Sequence, residues 1–384
     1  MINTDYYGFL RWLYANNPGL DKMSYEEQMR VRVESLFGVA DFYSSNLRSL
    51  GHEAFEVHAN NEPMQKAWAQ EHDIGQMRTP PTEVVLQLVR NVSARTPLVH
   101  LPGFLRPKLG HFASCPSWFY EILSEQIKYY KPDVLLNQDL ASIPCRFLRR
   151  MKPFVRLLVG QYASAVPEEA DLHCYDLIVS PLPDVVASLH RIGISAEVLR
   201  LGFEPRVLGF LEDTVATVPV SFIGSLSRVH MSRVQLLEYV CARLSLDVWG
   251  EISVVLPPDS MIRRCYRGQA WGVEMYRILR ASKITLNQSI FPHATNMRLF
   301  EATGVGTLLI TDSKVNLNEV FEPGKEVVVY RSPEECVELV QYYLKNEKER
   351  EAIARAGQVR ALREHTYCHR MKELVSIVER CSRA

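Results

Sequence analysis

The sequence predicts an α/β protein with two parallel sheets, each covered by helices and each forming its own domain. Short apolar segments alternate with helical segments along most of the chain, and this alternation is typical of parallel sheets. The length of 384 residues exceeds what a single hydrophobic core organises. The prediction places a first domain at 1–205, a linker without clear periodicity at 206–217, a second domain at 218–365 and a terminal segment at 366–384.

The first domain is predicted to begin with helical segments. Residues 23–49 carry apolar side chains at helical spacing, and Ser24 followed by Glu27 matches the capping-box pattern. Short predicted strands follow at 54–58, 97–101, 133–137, 154–159, 176–180 and 196–200. Ligands of such a sheet bind beyond the carboxyl ends of its strands, so the residues after each strand are the first candidates for a site.

The second domain repeats this alternation of strands and helices. Its predicted strands lie at 218–223, 246–249, 283–287, 307–311 and 326–330. Ser332 and Glu335 again have the capping-box spacing, and they open the first of two amphipathic helices, at about 332–344 and 347–362.

The composition argues against several classes of protein. Lys+Arg and Asp+Glu are equal at 44 each, which argues against a nucleic-acid binder. No apolar run approaches the ~20 residues needed to cross a bilayer, and the N-terminus lacks a signal-peptide pattern. We therefore expect a cytoplasmic protein whose membrane contact, if any, is peripheral. The eight cysteines are scattered without a C-x-x-C pair, which predicts reduced thiols and no zinc site.

A polar loop, a helix start and a returning strand follow one another between residues 287 and 325. The helix begins at Asn296, and the unpaired N–H groups of its first turn, together with its dipole, favour a bound anion. Arg298 supplies donors that match phosphate oxygens, and Glu301 is placed to accept from ribose hydroxyls. The pattern predicts a nucleoside-diphosphate site. The alternative is that Arg298 and Glu301 form an i,i+3 salt bridge at the surface.

Four stretches of the second half resemble the spore-maturation-protein-like glycosyltransferases, which belong to the GT-B class with a family-4-type (glycosyl transferases group 1) C-terminal domain. They are FIGSLSRVHMSR at 222–233, NMRLFEATGVGTLL at 296–309, FEPGKEVVVY at 321–330 and REHTYCHR at 363–370. The resemblance implies two Rossmann-like domains that face each other across a cleft, with the nucleotide sugar on the C-terminal domain and the acceptor on the N-terminal one. It also implies a terminal helix that crosses back to the N-terminal domain.

The resemblance also implies which residues hold the donor. They are Gly224, Ser225, His230, Arg233, Asn296, Arg298 and Glu301. Many related enzymes have an Arg and a Lys where this chain has Ser225 and His230, so the site carries less fixed charge than the common pattern. The family's paired-Glu motif has its earlier Glu at the position of His293, and this departure leaves the donor sugar and the retaining stereochemistry open.

Candidate catalytic residues on the acceptor side are less specific. His100, His111 and Asp139 lie at or just beyond predicted strand ends, and an inverting reaction needs such a general base on the acceptor hydroxyl. With His293 they form the candidate catalytic set. Trp249 and Trp271 fall near the expected base pocket, although a Trp that closes a strand is more often part of a core.

The expected function is transfer of a sugar, of the hexosyltransferase type, from a UDP- or GDP-sugar to a hydroxyl on a glycan, protein or small molecule. No cofactor and no metal are expected, because the sequence has no D-x-D motif to hold a cation against the diphosphate. Two alternatives stay open: a nucleotide-sugar epimerase of the same architecture, and a sugar-nucleotide-binding protein that has lost catalysis. Neither a P-loop nor a G-x-G-x-x-G fingerprint occurs, which argues against an NTPase or a dehydrogenase.

Overall fold

The computed structural model describes residues 1–74, 116–163, 171–211, 216–293 and 296–383. Within these ranges the chain forms two six-stranded sheets, and every pairing between neighbouring strands is parallel. The α/β class and the two parallel sheets predicted from the sequence are therefore confirmed.

The first sheet has the strand order β2-β1-β3-β4-β5-β6. Its strands are β1 (Ile2–Asn3), β2 (Val57–His58), β3 (Val134–Asn137), β4 (Leu157–Gln161), β5 (Leu177–Ser180) and β6 (Ala196–Val198). The predicted strand at 97–101 lies outside the described residues. The two-residue β1 was not predicted, because so short a strand shows no alternation of apolar and polar side chains.

Seven helices of the described ranges accompany the first sheet. They are α1 (Tyr7–Asn16), α2 (Tyr25–Glu34), α3 (Phe42–Ser49), α4 (Glu62–Glu71), α5 (Ser117–Tyr130), α6 (Cys145–Met151) and α7 (Pro183–Arg191). The capping box predicted at the start of α2 is confirmed: Ser24 Oγ accepts from the N–H of Glu27 at 3.3 Å, and Glu27 Oε2 accepts from the N–H of Ser24 at 3.1 Å. The helical pattern of residues 23–49 is split into α2 and α3 by a turn with positive φ at Leu36 and Gly38.

The second sheet has the strand order β12-β11-β10-β7-β8-β9. Its strands are β7 (Val218–Ile223), β8 (Asp247–Trp249), β9 (Tyr266–Gly268), β10 (Ser282–Asn287), β11 (Leu308–Asp312) and β12 (Val328–Tyr330). Five of them overlap the predicted strands. The short edge strand β9 was not predicted.

Seven further helices accompany the second sheet. They are α8 (Met231–Cys241), α9 (Met261–Cys265), α10 (Val273–Arg280), α11 (Met297–Gly304), α12 (Pro333–Lys345), α13 (Glu347–Glu364) and α14 (Tyr367–Arg383). The cap predicted at Ser332 is confirmed, because its Oγ accepts from the N–H of Glu335 at 3.2 Å. None of the described helices is long and apolar enough to cross a membrane.

The two sheets share one hydrophobic cluster, in which Tyr43 and Val179 from the first half join Phe300 and Leu309 from the second. The last helix, α14, packs against α3. The backbone of Phe203 also bonds to both sides of the turn before α14, donating to the carbonyl of His365 at 2.7 Å and accepting from the N–H of Tyr367 at 2.9 Å. The chain therefore returns to its first half after completing the second sheet.

The expectation of reduced cysteines is wrong for one pair. Cys145, at the start of α6, and Cys174, just before β5, form a disulfide with their Cα atoms 5.4 Å apart. The two residues are 29 positions apart in the chain, so only the packing of α6 beside β5 brings them within bonding range. The other described cysteines are free thiols: Cys241, Cys265, Cys336, Cys368 and Cys381.

Candidate functional site

The strand order of the second sheet creates a crevice beside β7. The chain moves from β7 outward to β8 and β9, then returns to place β10 on the other side of β7. Open parallel sheets bind ligands at such a point, beyond the carboxyl ends of the two strands. Here those ends lead into Gly224 and Gln288, so the crevice lies among the donor residues predicted from the sequence.

The turn after β7 lies close to the turn after β8. The N–H of Gly224 donates to the carbonyl of Trp249 at 3.0 Å. Gly250 has φ +137°, and a Cβ placed on it would lie 2.1 Å from the carbonyl oxygen of Gly224. A side chain at Gly250 would therefore push the Gly224 turn aside, and its absence leaves the backbone of Gly224 and Ser225 at the mouth of the crevice.

Two asparagines fix the start of α11 at the end of β10. The side chains of Asn287 and Asn296 exchange amide hydrogen bonds of 2.7 and 3.2 Å, and Asn296 Oδ1 also accepts from the N–H of Leu299 at 3.3 Å. Asn287 is itself held by Thr311, whose Oγ1 accepts from its amide at 3.0 Å. This arrangement points the positive end of the α11 dipole into the crevice.

Arg298 and Glu301 form an ion pair on the first turns of α11, with Arg298 Nη1 2.9 Å from Glu301 Oε2. The i,i+3 ion pair of the alternative is therefore present, but it does not lie at the surface, because Glu301 is buried and Arg298 is largely buried. Burial raises the pKa of the Glu301 carboxyl, while Arg298 and the hydroxyl of Tyr276 act in the opposite direction. Within the described chain, Arg298 Nε lacks a hydrogen-bond acceptor, which leaves donor capacity for a ligand.

Arg233 reaches the same crevice from α8. Its Nη1 donates to the carbonyl of Ser225 and its Nη2 to the carbonyl of Gln288, each at 2.8 Å. These bonds join the loops after β7 and β10. Burial first, and the nearby Arg298 second, lower the pKa of Arg233 to about 10. Two buried guanidinium groups that repel each other produce the kind of positive potential that an anionic ligand relieves.

His230 lies at the rim of this positive region, just before α8. Its Nδ1 lies 2.7 Å from Ser227 Oγ, and burial together with Arg233 lowers the pKa of its imidazole. The neutral imidazole is therefore favoured at neutral pH, and His230 is placed to contribute a hydrogen bond rather than a fixed charge.

The loop after β10 carries His293 and reaches the first half of the molecule. His293 Nδ1 lies 3.1 Å from Asp184 Oδ2, at the start of α7. Phe291 packs against the hydrophobic cluster around the first sheet. The structure thus places His293 at a contact between the two halves, in addition to its place on the loop beside the crevice.

Two residues that sequence reasoning missed hold this loop in place. Asp312 Oδ1 accepts from the N–H of Ser289 at 3.2 Å. Lys314 pairs with Asp312 at 2.8 Å and donates to the carbonyls of Ser289 at 2.9 Å and Phe291 at 2.5 Å. Asp312 ends β11 and Lys314 follows it, so their position at a strand end was the available signal.

At the first sheet, Asp139 lies beyond the carboxyl end of β3. Its Oδ1 accepts from the N–H groups of Ala141 and Ser142, and its Oδ2 accepts from Thr4 Oγ1 at 2.7 Å. In this arrangement Asp139 stabilises the loop that follows β3, because its carboxylate accepts from three donors. The other two acceptor-side candidates, His100 and His111, lie outside the described residues.

A buried polar cluster that the sequence did not reveal lies beside this edge. Arg32 donates to both carboxylate oxygens of Asp5, at 2.5 and 3.2 Å, and His58 Nδ1 lies 3.3 Å from Asp5 Oδ2. The Arg32 and His58 charges hold the pKa of the Asp5 carboxyl well below its usual range against the opposing effect of burial. Since Asp5 follows β1 and His58 ends β2, the cluster anchors the loop that leads from β1 to α1.

The two tryptophans near the expected base pocket differ in how deeply they are buried. Trp271 is buried and meets the ring of Phe37 edge-on at 5.0 Å, with Phe9 at 6.2 Å. It thereby joins the second half to the first. Trp249 is only partly buried, so it is the one of the two that can present a ring surface at the end of β8.

Part of the chain matches a known protein family. Residues 233–376 match the family described as glycosyl transferase-like, a range that contains Arg233, Asn296, Arg298 and Glu301. This stretch is therefore similar to the glycosyl transferase-like family. No curated protein matches the chain.

Several solved structures share the fold. The Anabaena protein HepE in complex with UDP is 12% identical, with 68% of this chain and 82% of that chain covered and a TM-score of 0.52. A glycosyltransferase from Rickettsia africae is 12% identical over 88% of this chain and 93% of that one, with a TM-score of 0.56. Sucrose-phosphate synthase from Thermosynechococcus elongatus is 14% identical over 74% and 81%, with a TM-score of 0.50. At these identities the likeness shows the fold, which is the two-sheet GT-B architecture of glycosyltransferases.

Proposed function

We propose that this protein transfers a sugar from a nucleoside-diphosphate donor, bound in the crevice of the second sheet, to a hydroxyl of an acceptor held at the first sheet. The observation that carries the proposal is the convergence of Arg233 and Arg298 at the start of α11. Both guanidinium groups are largely buried, and each has a nitrogen without an acceptor in the described chain. A diphosphate supplies the negative charge and the acceptor oxygens that this arrangement lacks.

In the proposed reaction, these groups bind the diphosphate and stabilise the charge that develops on it as the glycosidic bond breaks. The N-terminus of α11 and the two guanidinium groups then perform the task that a metal ion performs elsewhere, so we propose a metal-independent enzyme. Glu301 is proposed to accept from ribose hydroxyls. His230 and the backbone of Gly224 and Ser225 complete the donor site.

The donor is proposed to be a UDP-sugar first and a GDP-sugar second. A structure of similar fold, HepE, is known with UDP and with UDP-glucose, which makes UDP the first nucleotide to test. The resemblance to spore-maturation-protein-like glycosyltransferases points to a glycan, protein or small-molecule acceptor. We further propose a cytoplasmic enzyme with an acceptor domain at 1–205, a linker at 206–217, a donor domain at 218–365 and a terminal helix segment at 366–384.

The proposal is tested by calorimetry and thermal shift with UDP, GDP, dTDP, CMP, ADP and their sugars. One nucleotide is expected to bind the wild type. Arg298→Ala should weaken that binding by about 1.5–3 kcal/mol, the contribution of a hydrogen bond to a charged group. Arg277→Ala is the matched control, because Arg277 is an exposed arginine on α10 whose partner is Glu274.

The proposal fails if no nucleotide binds at saturating concentration, or if the two arginine variants bind equally well. Release of free nucleotide from the nucleotide sugar separates the remaining alternatives. Binding with neither transfer nor hydrolysis supports a protein that has lost catalysis, and a change in the sugar's configuration without release supports an epimerase.

A further inference from the structure

A strongly basic segment begins at α6, in the first half of the chain. Residues 145–156 read CRFLRRMKPFVR, with five basic residues and no acidic one. The chain as a whole has a formal net charge of zero, so this concentration of positive charge is local. One explanation for this local charge is a helix face that is simply exposed to solvent. We therefore compare the ion pairs that the basic residues of the segment form.

The basic residues of this segment differ in their partners. Arg149 pairs with Asp171 at 2.9 Å, and Lys152 pairs with Asp176. Arg146, Arg150 and Arg156 have no carboxylate partner within the ranges that the structure describes. The guanidinium of Arg150 instead lies 5.9 Å from the centre of the Phe147 ring.

Two of these three arginines, Arg146 and Arg150, line one cavity. Its volume is about 380 Å³, and its described lining consists of Tyr120, Pro144, Arg146, Phe147 and Arg150. The volume falls within the range of small-ligand sites. Two walls are aromatic, since the rings of Tyr120 and Phe147 lie 5.2 Å apart. The cavity therefore combines two positively charged side chains with an apolar, aromatic lining.

The topology places this cavity at the carboxyl edge of the first sheet. Seven residues separate the end of β3 from the start of α6, so the first turn of α6, with Arg146, lies near that edge. The helix α5 runs back along the sheet before β3 begins, so Tyr120, near the start of α5, lies at the same edge. The Tyr120 hydroxyl confirms this, because it donates to the carbonyl of Ser142 in the loop after β3 at 2.8 Å.

The cavity is built on fixed elements. The disulfide between Cys145 and Cys174 ties the first residue of α6 to the segment before β5. Phe147 and Leu148 are buried in the hydrophobic cluster beneath the helix. Arg146 and Arg150 therefore project from a helix whose position does not depend on a ligand, and such preorganisation lowers the cost of binding.

We propose that this cavity binds a phosphate-bearing group of the acceptor, through Arg146 and Arg150. Guanidinium groups match phosphate oxygens in geometry and charge, and the cavity lies at the sheet edge assigned to the acceptor. The link to the acceptor rests on the proposed function, whereas binding of phosphate at the cavity does not. The phosphate group belongs to a soluble phosphorylated compound or to a lipid headgroup, and the experiment separates these two sources.

The first arm measures binding of inorganic pyrophosphate by calorimetry to the full chain carrying Arg298→Ala, which weakens the proposed donor site. Adding Arg146→Ala and Arg150→Ala should lower pyrophosphate affinity at least about tenfold. The matched control adds Arg149→Ala and Arg156→Ala, which removes the same charge from the same segment outside the cavity lining, and should leave affinity within about twofold. Circular dichroism checks that each variant is folded.

The second arm measures co-sedimentation with vesicles of phosphatidylcholine containing 30% phosphatidic acid, against pure phosphatidylcholine. Binding to the anionic vesicles that requires Arg146 and Arg150 identifies a lipid source, and pyrophosphate binding alone identifies a soluble one. The proposal is overturned if neither arm depends on these arginines, or if the control pair causes an equal loss. Nucleotide binding to the wild type is scored separately, so a failure of the donor proposal leaves this result readable.

Discussion

At the residue scale, the two members of the ion pair between Arg298 and Glu301 have different neighbours. Arg298 lies near a second guanidinium, that of Arg233, and after burial its charge is the next largest cause that lowers the pKa of Arg233. Glu301 is buried against Tyr276, so its carboxylate depends on Arg298 for its charge. A bound diphosphate would draw Arg298 toward the phosphate, and a ribose would then offer Glu301 replacement donors. We therefore expect Arg298 and Glu301 to exchange their mutual contact for contacts with the nucleotide together, when it binds.

Glu301→Gln tests the ribose contact directly. UDP, or the nucleoside diphosphate that the screen selects, is compared with its 2′,3′-dideoxy form by calorimetry. If Glu301 accepts from the ribose, the wild type should prefer the hydroxylated nucleotide by about 1.5–3 kcal/mol, and Glu301→Gln should lose most of that preference. An unchanged preference in the variant would place the ribose elsewhere.

At the element scale, the start of α10 is held against the loop after α2 by a glycine. Gly272 has φ +54°, and a Cβ on it would lie 1.9 Å from the carbonyl oxygen of Ser35. That same carbonyl accepts from the N–H of Val273 at 2.9 Å. The close approach joins an element of the second half to one of the first through backbone alone.

Gly272→Ala should lower the free energy of unfolding by at least about 3 kcal/mol, because the new methyl group overlaps Ser35 and the backbone conformation is strained. Gly268→Ala is the matched control, since Gly268 also has positive φ but nothing lies within 4 Å of its added Cβ. The control should cost about 1–2 kcal/mol. Equal losses in urea unfolding would show that strain alone, without the Ser35 contact, sets the cost.

The turn between α13 and α14 contains a histidine that is kept neutral. His365 Nε2 donates to the carbonyl of Val320 at 2.8 Å, and its Nδ1 accepts from Arg370 Nη2 at 2.7 Å. Burial lowers the pKa of the imidazole to about 4. A proton on Nδ1 would meet the Arg370 guanidinium, so the neutral tautomer is set by both neighbours.

This low pKa predicts a stability change with pH. In the unfolded chain His365 binds a proton below its ordinary pKa of about 6.5, whereas the folded protein does not do so until about pH 4. Stability should therefore fall as pH drops below 6.5. His365 should contribute about 2 kcal/mol of loss between pH 7 and pH 5. His365→Gln should show a smaller loss over that interval in urea titrations, and an identical loss would assign the effect to other groups.

At the scale of the whole molecule, α14 connects the two halves of the chain. Arg370 Nε donates to the carbonyl of Leu201 at 2.9 Å. The buried ring of Tyr367 lies 5.3 Å from Phe42 and 5.5 Å from Tyr43 on α3. The same helix follows directly from the second half through His365. Relative motion of the two sheets must therefore bend or shift this helix connection.

Tyr367→Ala should lower the free energy of unfolding by about 3–5 kcal/mol, the usual cost of removing a buried aromatic ring. Tyr367→Phe provides the matched comparison. The Tyr367 hydroxyl is buried without a hydrogen-bond partner in the described chain, so its removal should be neutral or stabilise by about 1 kcal/mol. A large loss in Tyr367→Phe would reveal a partner for the hydroxyl and would be seen in thermal and urea unfolding alike.

Local sequence patterns determined the α/β class, the two sheets, most strands and the caps at Ser24 and Ser332. These features follow from hydrophobic periodicity and from side chains that bond to backbone three residues away, so they are readable within one short window. The same reasoning selected Arg298 and Glu301, which are neighbours on one helix. The roles assigned to residues in binding the sugar donor and the acceptor substrate remain predictions. His100 and His111 lie outside the described residues.

Only the tertiary structure decided how distant residues meet. The disulfide of Cys145, the contact of His293 with Asp184, and the approach of Arg233 to Arg298 join residues on separate elements. Tertiary packing also decided that the ion pair of Arg298 and Glu301 lies largely buried and not at the surface. Such contacts depend on how strands order themselves in a sheet and on which helix faces meet. A local pattern carries no information about either, because the same helix or strand signal is compatible with many packings.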